Sequence, residues 1–493
     1  MILLTLFLIG VSVLLYLYEK TVKPKNFPPG PKWHPITGST PTVKEFAKQF
    51  GGTHKAFLKL SEIYDSNVIG LKFGNEATVC VSGESLLKEV LMQDEYQARP
   101  INFFSNLRSF GTNKGITFTN GEHWKTQRRF FIRHLRELGF GKQKMDFMIT
   151  DEVNKIINFM GQNDLHEIKT IIGTSVLSIL WTLVAGERLE YSNERLQNLL
   201  TLMNRRSKVF EMAGTWLNLF PWIRFIAPKA SGYELIMNIN NEMKELFKSV
   251  IKEHSDTWYP DRKDDVIYAF LTEMHQSSDE TFTEDQLLML CVDVFFGGAT
   301  TTSNTLDFAL MCMILYPDIQ KKVHESIDAA YTNCTLPHYK DRHLIPYVEA
   351  VICEVQRYYN VSPITGPRIT LANTKLESYD IPKGTTVLIN NYAVDHDPKL
   401  WENPDVFQPE RFLDQNGNVT IPQHFNPFNI GKRKCLADAL ARSCIFTFFA
   451  GIMKTYTLSL ADKSKPLTGI PLPGITISPE PYIPCFTHRC SKN

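Results

Sequence analysis

Pro24 to Pro35 contains the run Pro28-Pro29-Gly30-Pro31. No helix can cross it, because proline lacks a backbone N–H and its ring clashes with the preceding turn. The run divides the 493-residue chain into two unequal parts. Ahead of it, residues 1–18 carry no charge. As a helix they extend ~27 Å, enough for a bilayer core. Tyr16 and Tyr18 fall where an interfacial aromatic belt lies, and Lys20, Lys23, Lys25 and Lys32 follow with no lysine or arginine before them. The positive-inside rule then places everything after residue 20 in the cytosol. A cleaved secretory signal calls for a basic leader and a small-residue cleavage site, which this run lacks. The expectation is a transmembrane anchor over 1–19, a basic and proline-rich hinge over 20–35, and one large unit over 36–493.

Beyond residue 35 there is no second linker, low-complexity block or fixed-period repeat. Helical periodicity dominates, most clearly at 122–138, 144–160, 167–185, 194–213, 234–254, 284–316 and 436–456. Strand-like runs are short: 67–72, 77–81, 375–381, 386–389 and the tail 470–486. The expected fold is mainly α with small β-sheets around one core. Lysine plus arginine (53) nearly equals aspartate plus glutamate (52), so there is no global attraction to nucleic acid and any basic patch must be argued locally. Nine cysteines, an odd number in a long chain, point to reduced thiols rather than a disulfide framework. Cys485, His488 and Cys490 have zinc-ligand spacing but supply three groups with no evident fourth. Residues 207–232, with Trp216, Trp222, Phe225 and Ile226, read either as core at a helix end or as a segment dipping into a membrane surface.

Four elements carry chemistry. In Phe428–Ala437 a thiol, Cys435, follows Lys432, Arg433 and Lys434 and opens the helical stretch 436–456. Nearby cations and the positive end of a helix dipole both favour a thiolate. Such a thiolate serves as nucleophile, zinc ligand or heme ligand; the missing partner ligands disfavour zinc, and three cations suit an anionic cofactor better than a peptide. Gly297-Gly298-Ala299-Thr300-Thr301-Thr302-Ser303 interrupts a strongly apolar helix. Hydroxyls there can bond back to carbonyls and loosen the ladder; the plainer reading is a helix contact through small residues. Glu354 and Arg357 form an i,i+3 pair, with Arg411 following in Pro409–Phe412. Trp124 and Arg128 share one helix face.

Together these motifs resemble the cytochrome P-450 family, over essentially the whole chain and closest to microsomal, insect-like members. Phe428, Gly431, Arg433 and Cys435 match its heme-binding signature, with Ala437 where a glycine is usual. Gly297, Gly298, Thr301 and Thr302 match its oxygen-binding helix, but Thr300 stands where an acid is usual. The resemblance implies heme b with Cys435 as axial thiolate, and Arg433, Arg128, Trp124, Arg368, Arg99 and Phe428 as cofactor-binding residues. It implies that Thr301 relays protons beside Thr300, and that Glu354, Arg357 and Arg411 support the cysteine loop. Asp293, seven residues before Thr300 and on roughly the same helix face, reads as structural. By position the pocket draws on Phe103, Phe104, Ile116, Phe210, Phe295, Ala299, Val361, Ile364 and Ile475.

The activity implied is monooxygenation of a small lipophilic substrate: an endogenous lipid, a terpenoid hormone or an aromatic amino-acid derivative. No dinucleotide fingerprint is present, so electrons come from NADPH through a separate reductase, with cytochrome b5 as a further donor. Lys125, Arg128, Arg129, Arg133 and Arg136 form a basic face for that partner. The implied location is the endoplasmic reticulum membrane, in contact with lipid. Rival readings are a heme-thiolate isomerase or dehydratase that needs no reductase, and a heme-binding carrier.

Overall fold

The computed structural model describes residues 2–139, 142–162, 168–209, 216–332, 335–474 and 476–489. Its organising element is the helix Glu284–Leu315. Thr283 caps it by accepting from the Gln286 N–H, and Glu284 and Asp285 occupy the positive end of its dipole. The sequence is apolar on every side, as a helix buried all round must be. It packs against Ile168–Ala185, Asp438–Thr455, Pro346–Tyr358 and Tyr233–Asp256. The hydroxyl run does not open it: Thr301 and Thr305 donate to the carbonyls of Gly297 and Thr301 at 2.8 and 2.9 Å, and the helix continues through both glycines.

The expected helices form with small shifts at their ends. Helix Gly121–Glu137 buries Trp124, Gln127, Phe130 and Phe131 on one side and turns Lys125, Arg129, Arg133 and Arg136 outward. The main sheet has four strands in the order Val68–Phe73, Glu76–Val81, Thr386–Asn390, Ile364–Ile369. The first two pair antiparallel, the middle two parallel and the last two antiparallel. Register slips between Thr365 and Arg368. Pro367 cannot donate to the ladder, so a bulge falls there and re-aims Arg368. The run 375–381 is a hairpin of two strands, Thr374–Leu376 and Tyr379–Ile381. Of the tail, Pro484–His488 is the strand, paired with Tyr456–Leu460. The Pro-rich part before it lacks donors for a ladder.

The proline run is not a spacer. The Gly70 N–H donates to the Pro29 carbonyl at 2.7 Å, and Phe27 and Trp33 are buried. A Cβ on Gly30 would stand 2.3 Å from the Gly70 carbonyl oxygen, so only glycine fits. The hinge is therefore docked on the sheet edge. Before it, Ile2–Glu19 forms a helix whose Leu4, Phe7, Leu8 and Leu15 are exposed. Several of its other side chains lie outside the described residues; among the described residues no helix is long and apolar enough to cross a membrane.

Behind the sheet, Glu354 and Arg357 are fully buried. Glu354 accepts from Arg357 Nε and Nη2 at 2.7 and 2.8 Å, from Arg411 Nε at 3.2 Å and from the Gln408 N–H at 2.8 Å. The remaining guanidinium donors reach the carbonyls of Asp395, Glu402 and Val406. Both guanidinium groups also lie near the Trp401 ring, 5.4 and 5.9 Å from its centre. Trp401 packs on Phe412 and Phe425, where the cysteine loop begins. Truncation would leave two buried cations without their acceptor. Glu354→Ala is expected to lower unfolding stability by about 3–5 kcal/mol. Lys155→Ala, in the exposed pair with Asp151, is expected to cost about 0.5 kcal/mol or less. Denaturant unfolding of the two variants checks the contrast.

Candidate active site

The loop before helix Asp438–Thr455 is shaped by two left-handed residues, Asn429 (φ 59°) and Gly431 (φ 78°). A Cβ on Gly431 would come within 2.0 Å of the Leu91 carbonyl oxygen, so the loop docks there only because that position has no side chain. The Cys435 N–H donates to the Phe428 carbonyl at 3.0 Å, and the Asn429 Oδ1 accepts from Thr365 at 3.1 Å. The loop is closed on itself and tied to the bulged strand.

Cys435 counts as exposed because it opens onto a cavity of about 370 Å³, lined also by Thr301, Phe428 and Arg433. Protein surrounds the sulfur elsewhere, and that burial pushes the thiol up. The Ala437 amide, Arg128 and Lys434 pull the other way and do not win. The expected thiolate is therefore not produced by the loop's cations and helix end alone. The helix starts at Asp438, whose carboxylate opposes the thiolate. The three cations are also engaged elsewhere. Lys432 pairs with Asp94 at 2.5 Å, and Lys434 lies 3.7 Å from Asp438. Arg433 sits 3.8 Å from the centre of the Trp124 ring and donates to the carbonyls of Gln97 and Thr119.

Beside the thiol, three arginines converge. Arg99 donates to the carbonyls of Gly366 and Pro367, so it locks onto the bulge that aims Arg368. Asn120 joins them: its Oδ1 accepts from the Arg99 N–H at 2.7 Å and from Arg433 Nη2 at 3.1 Å. Arg368 is fully buried, and none of its three guanidinium nitrogens has a protein partner among the described residues. Arg99 Nε and Arg433 Nη1 are likewise unpartnered. Burial pushes Arg368 down to about 9, with Arg433 adding to the effect; burial, then Arg99 and Arg128, push Arg433 to about 8. Buried donors of one charge sign are costly unless an anion joins them. The set fits heme b, whose two propionates would meet the unpartnered nitrogens while the sulfur meets the iron.

The expected site residues divide. Thr301 lines the Cys435 cavity; Thr300 and Ala299 line a separate one with Asn304 and Glu480. Arg128 donates to the Lys434 carbonyl at 2.8 Å, so it braces the cysteine loop. Trp124 serves as the platform under Arg433, closer than it is to Arg128. Asp293 accepts from the Ile116 and Thr117 amides at 2.8 and 2.9 Å, a structural seat. Phe104, Val361 and Ile364 line the cavity. Phe295 packs in the core on Trp181 and Phe247, and Ile116 is buried in the same core. Phe103 packs on Leu107 and Leu217. Phe210, Ile475 and Cys490 lie outside the described residues. Among the described residues no cluster of three metal-ligating side chains occurs, and His488 bonds the Arg489 carbonyl. Sequence reasoning missed Asn120, Arg108, Phe118 and Leu180. Asn120 alone carried a local signal, as a cap-type residue ahead of helix Gly121–Glu137.

The cytochrome P450 family model matches residues 28–486. A probable cytochrome P450 305a1 from Drosophila melanogaster is 39% identical, covering 97% of each chain. Farnesoate epoxidase from Bombyx mori is 33% identical, covering 96% of each. Cytochrome P450 2J3 from Rattus norvegicus is 34% identical, covering 99% of this chain and 96% of that one. The match runs from the docked proline run to the last strand and takes in the thiol loop, the arginine corner and the hydroxyl-bearing helix, so the chain belongs to the cytochrome P450 family of heme-thiolate monooxygenases.

Proposed function

We propose that this chain inserts one atom of dioxygen into a small lipophilic substrate in the Cys435 cavity, with Cys435 as the thiolate that would hold heme b. One observation carries the reading: a single cavity brings together Cys435, Thr301, apolar walls, Arg99 and Arg433, with the buried, unpartnered Arg368 close to both arginines. Bound there, heme supplies dioxygen activation, favoured by its thiolate ligand. Arg368, Arg433 and Arg99 are the residues that would bind its propionates. Trp124 and Arg128 hold Arg433 and the Cys435 loop in place, and the Phe428 carbonyl closes that loop by accepting from the Cys435 N–H.

Thr301 is the proton-handling residue. Its hydroxyl donates to Gly297, leaving its lone pairs to accept from water at the cavity wall. Thr300 lies on the other cavity and takes no direct part. Phe104, Phe118, Leu180 and Ile364 exclude bulk water and hold the substrate by apolar contact.

Electrons reach the site from NADPH through a reductase that docks on the cleft lined by Lys125, Arg129, Arg136 and Lys432, with cytochrome b5 as a further donor. Several cations of that face carry partners, Lys125 with Glu122 and Arg133 with Glu273, so its field is weaker than the sequence alone suggests. The catalytic unit spans 36–493 with the proline run docked to it. The helix Ile2–Glu19 anchors it in the endoplasmic reticulum membrane; its exposed Phe7, Leu8 and Leu15 support this. Phe225 and Ile226, each 74% exposed, with Trp222 beside them, reach the lipid surface.

Two measurements test the reading. With reductase and NADPH, turnover under ¹⁸O₂ is expected to place one labelled oxygen in the product. Label taken from water, or turnover without NADPH, would contradict it. Thr301→Ala is expected to lower product formed per NADPH roughly tenfold or more while leaving heme content unchanged; an unchanged ratio would remove Thr301 from the proton route.

A further inference from the structure

One cation of the cavity has no role in the account so far. Arg108 ends the short helix Phe103–Arg108, which Asn102 and Ser105 fix through a reciprocal capping box. It lines the same cavity as Cys435 and Thr301. Its guanidinium lies 5.1 Å from the centre of the Phe118 ring. Among the described residues no carboxylate comes within ion-pair distance of it. Asp293 attracts it, but that carboxylate is pinned by the Ile116 and Thr117 amides. A side chain on Gly115 would strike the same carboxylate, since its Cβ would stand 2.4 Å from Oδ2. Asp293 is therefore fixed where it is.

Behind Arg108, which is half-buried at the cavity wall, stands a buried cation, Arg206. It is committed elsewhere: Nη2 donates to the Arg108 carbonyl at 2.6 Å, Nε to Asn240 at 3.2 Å, and its plane lies 4.5 Å from the Phe296 ring centre. The region thus holds Arg99, Arg108, Arg206, Arg368 and Arg433, and the one acid acting on any of them among the described residues is Asp293, beside Arg108 and Arg206. Heme propionates would answer the unpartnered nitrogens of Arg99, Arg368 and Arg433, and iron would answer the Cys435 thiolate. Positive charge still remains in excess, and Arg108 is the cation that carries it to the cavity wall. A cation partly withdrawn from water without a close counter-ion costs free energy. An anionic group delivered by the substrate would relieve that cost.

We propose that Arg108 binds the carboxylate of the substrate, so that the chain prefers lipophilic acids over the corresponding neutral esters. The proposal rests on the monooxygenase reading for the identity of the cavity. A guanidinium holds a carboxylate by two parallel hydrogen bonds. Phe104, Phe118, Ile179, Leu180 and Ile364 then receive the apolar body. Tethering one end limits which carbon reaches the Thr301–Cys435 region, so Arg108 also sets the position of oxidation.

The test uses full-length heme-loaded protein and two matched probe pairs: farnesoic acid with its methyl ester, and dodecanoic acid with its methyl ester. Affinity is read by equilibrium dialysis and by the Soret shift on titration. The wild-type chain is expected to bind at least one acid about tenfold or more tightly than its ester. Arg108→Gln is expected to abolish that preference by weakening the acid, with ester affinity kept within about twofold; Arg108→Lys should retain part of it. The proposal is overturned if the wild-type chain shows no acid preference in either pair, including no binding of either acid. It is equally overturned if Arg108→Gln weakens acid and ester alike, the mark of a wall or folding residue. A wild-type preparation that lacks a thiolate-type carbon-monoxide band would instead contradict the monooxygenase reading.

Discussion

Buried positive charge without a protein counter-ion is the constraint on which the rest of this structure turns. Arg99, Arg368 and Arg433 occupy one corner of the structure, and Arg99 and Arg433 line the cavity onto which Cys435 opens. Arg368 alone withholds three guanidinium nitrogens from any described protein partner. Burying such groups is unfavourable by several kcal/mol each without compensation. The fold accepts that cost and builds rigid support around it. The bulge at Gly366-Pro367 aims Arg368, Arg99 clamps the bulge, Asn120 ties Arg99 to Arg433, and Trp124 lies under Arg433.

The same logic connects the remote elements. The Glu354–Arg357–Arg411 network contributes no atom to the cavity. It fixes the backbone from Asp395 to Gln408, and through Trp401, Phe412 and Phe425 it fixes where the cysteine loop begins. Gly431 then lets the loop approach Leu91 more closely than any side chain would permit. On another wall, the helix Glu284–Leu315 is held by apolar packing on every side, and its threonine hydroxyls bond back to the helix without breaking it. A thiol, a set of cations and a hydroxyl are thereby held in one cavity by elements far apart in sequence.

Much of this was legible in the sequence, and for identifiable reasons. Long helices and short strands follow from periodicity, and the thiol loop, Glu354–Arg357 and Thr301 follow from residue types at fixed spacing. The illegible parts are those set by tertiary aim. Thr300 and Thr301 are adjacent, yet a 100° helical step sends them to different cavities. Phe295 was expected at the substrate and lies in the core instead, because its helix face meets Trp181 and Phe247. The cations flanking Cys435 promised a thiolate, but Asp94, Asp438 and Trp124 engage them, and burial prevails at the sulfur. The proline run reads as a hinge between two parts of the chain, and glycines at 30 and 70 let it dock on the sheet. Arg108 has no motif at all; its meaning comes from a cavity and a charge balance that exist only once the chain is folded.

The central claim is that Cys435 supplies a thiolate to heme iron in this cavity. The carbon-monoxide difference spectrum of the reduced protein tests it most directly, compared with that of Cys435→Ser. The account predicts a thiolate-type Soret band in the first and its loss in the second, with the arginine corner left intact. A thiolate-type band that survives the substitution would place the iron on another ligand and contradict the account.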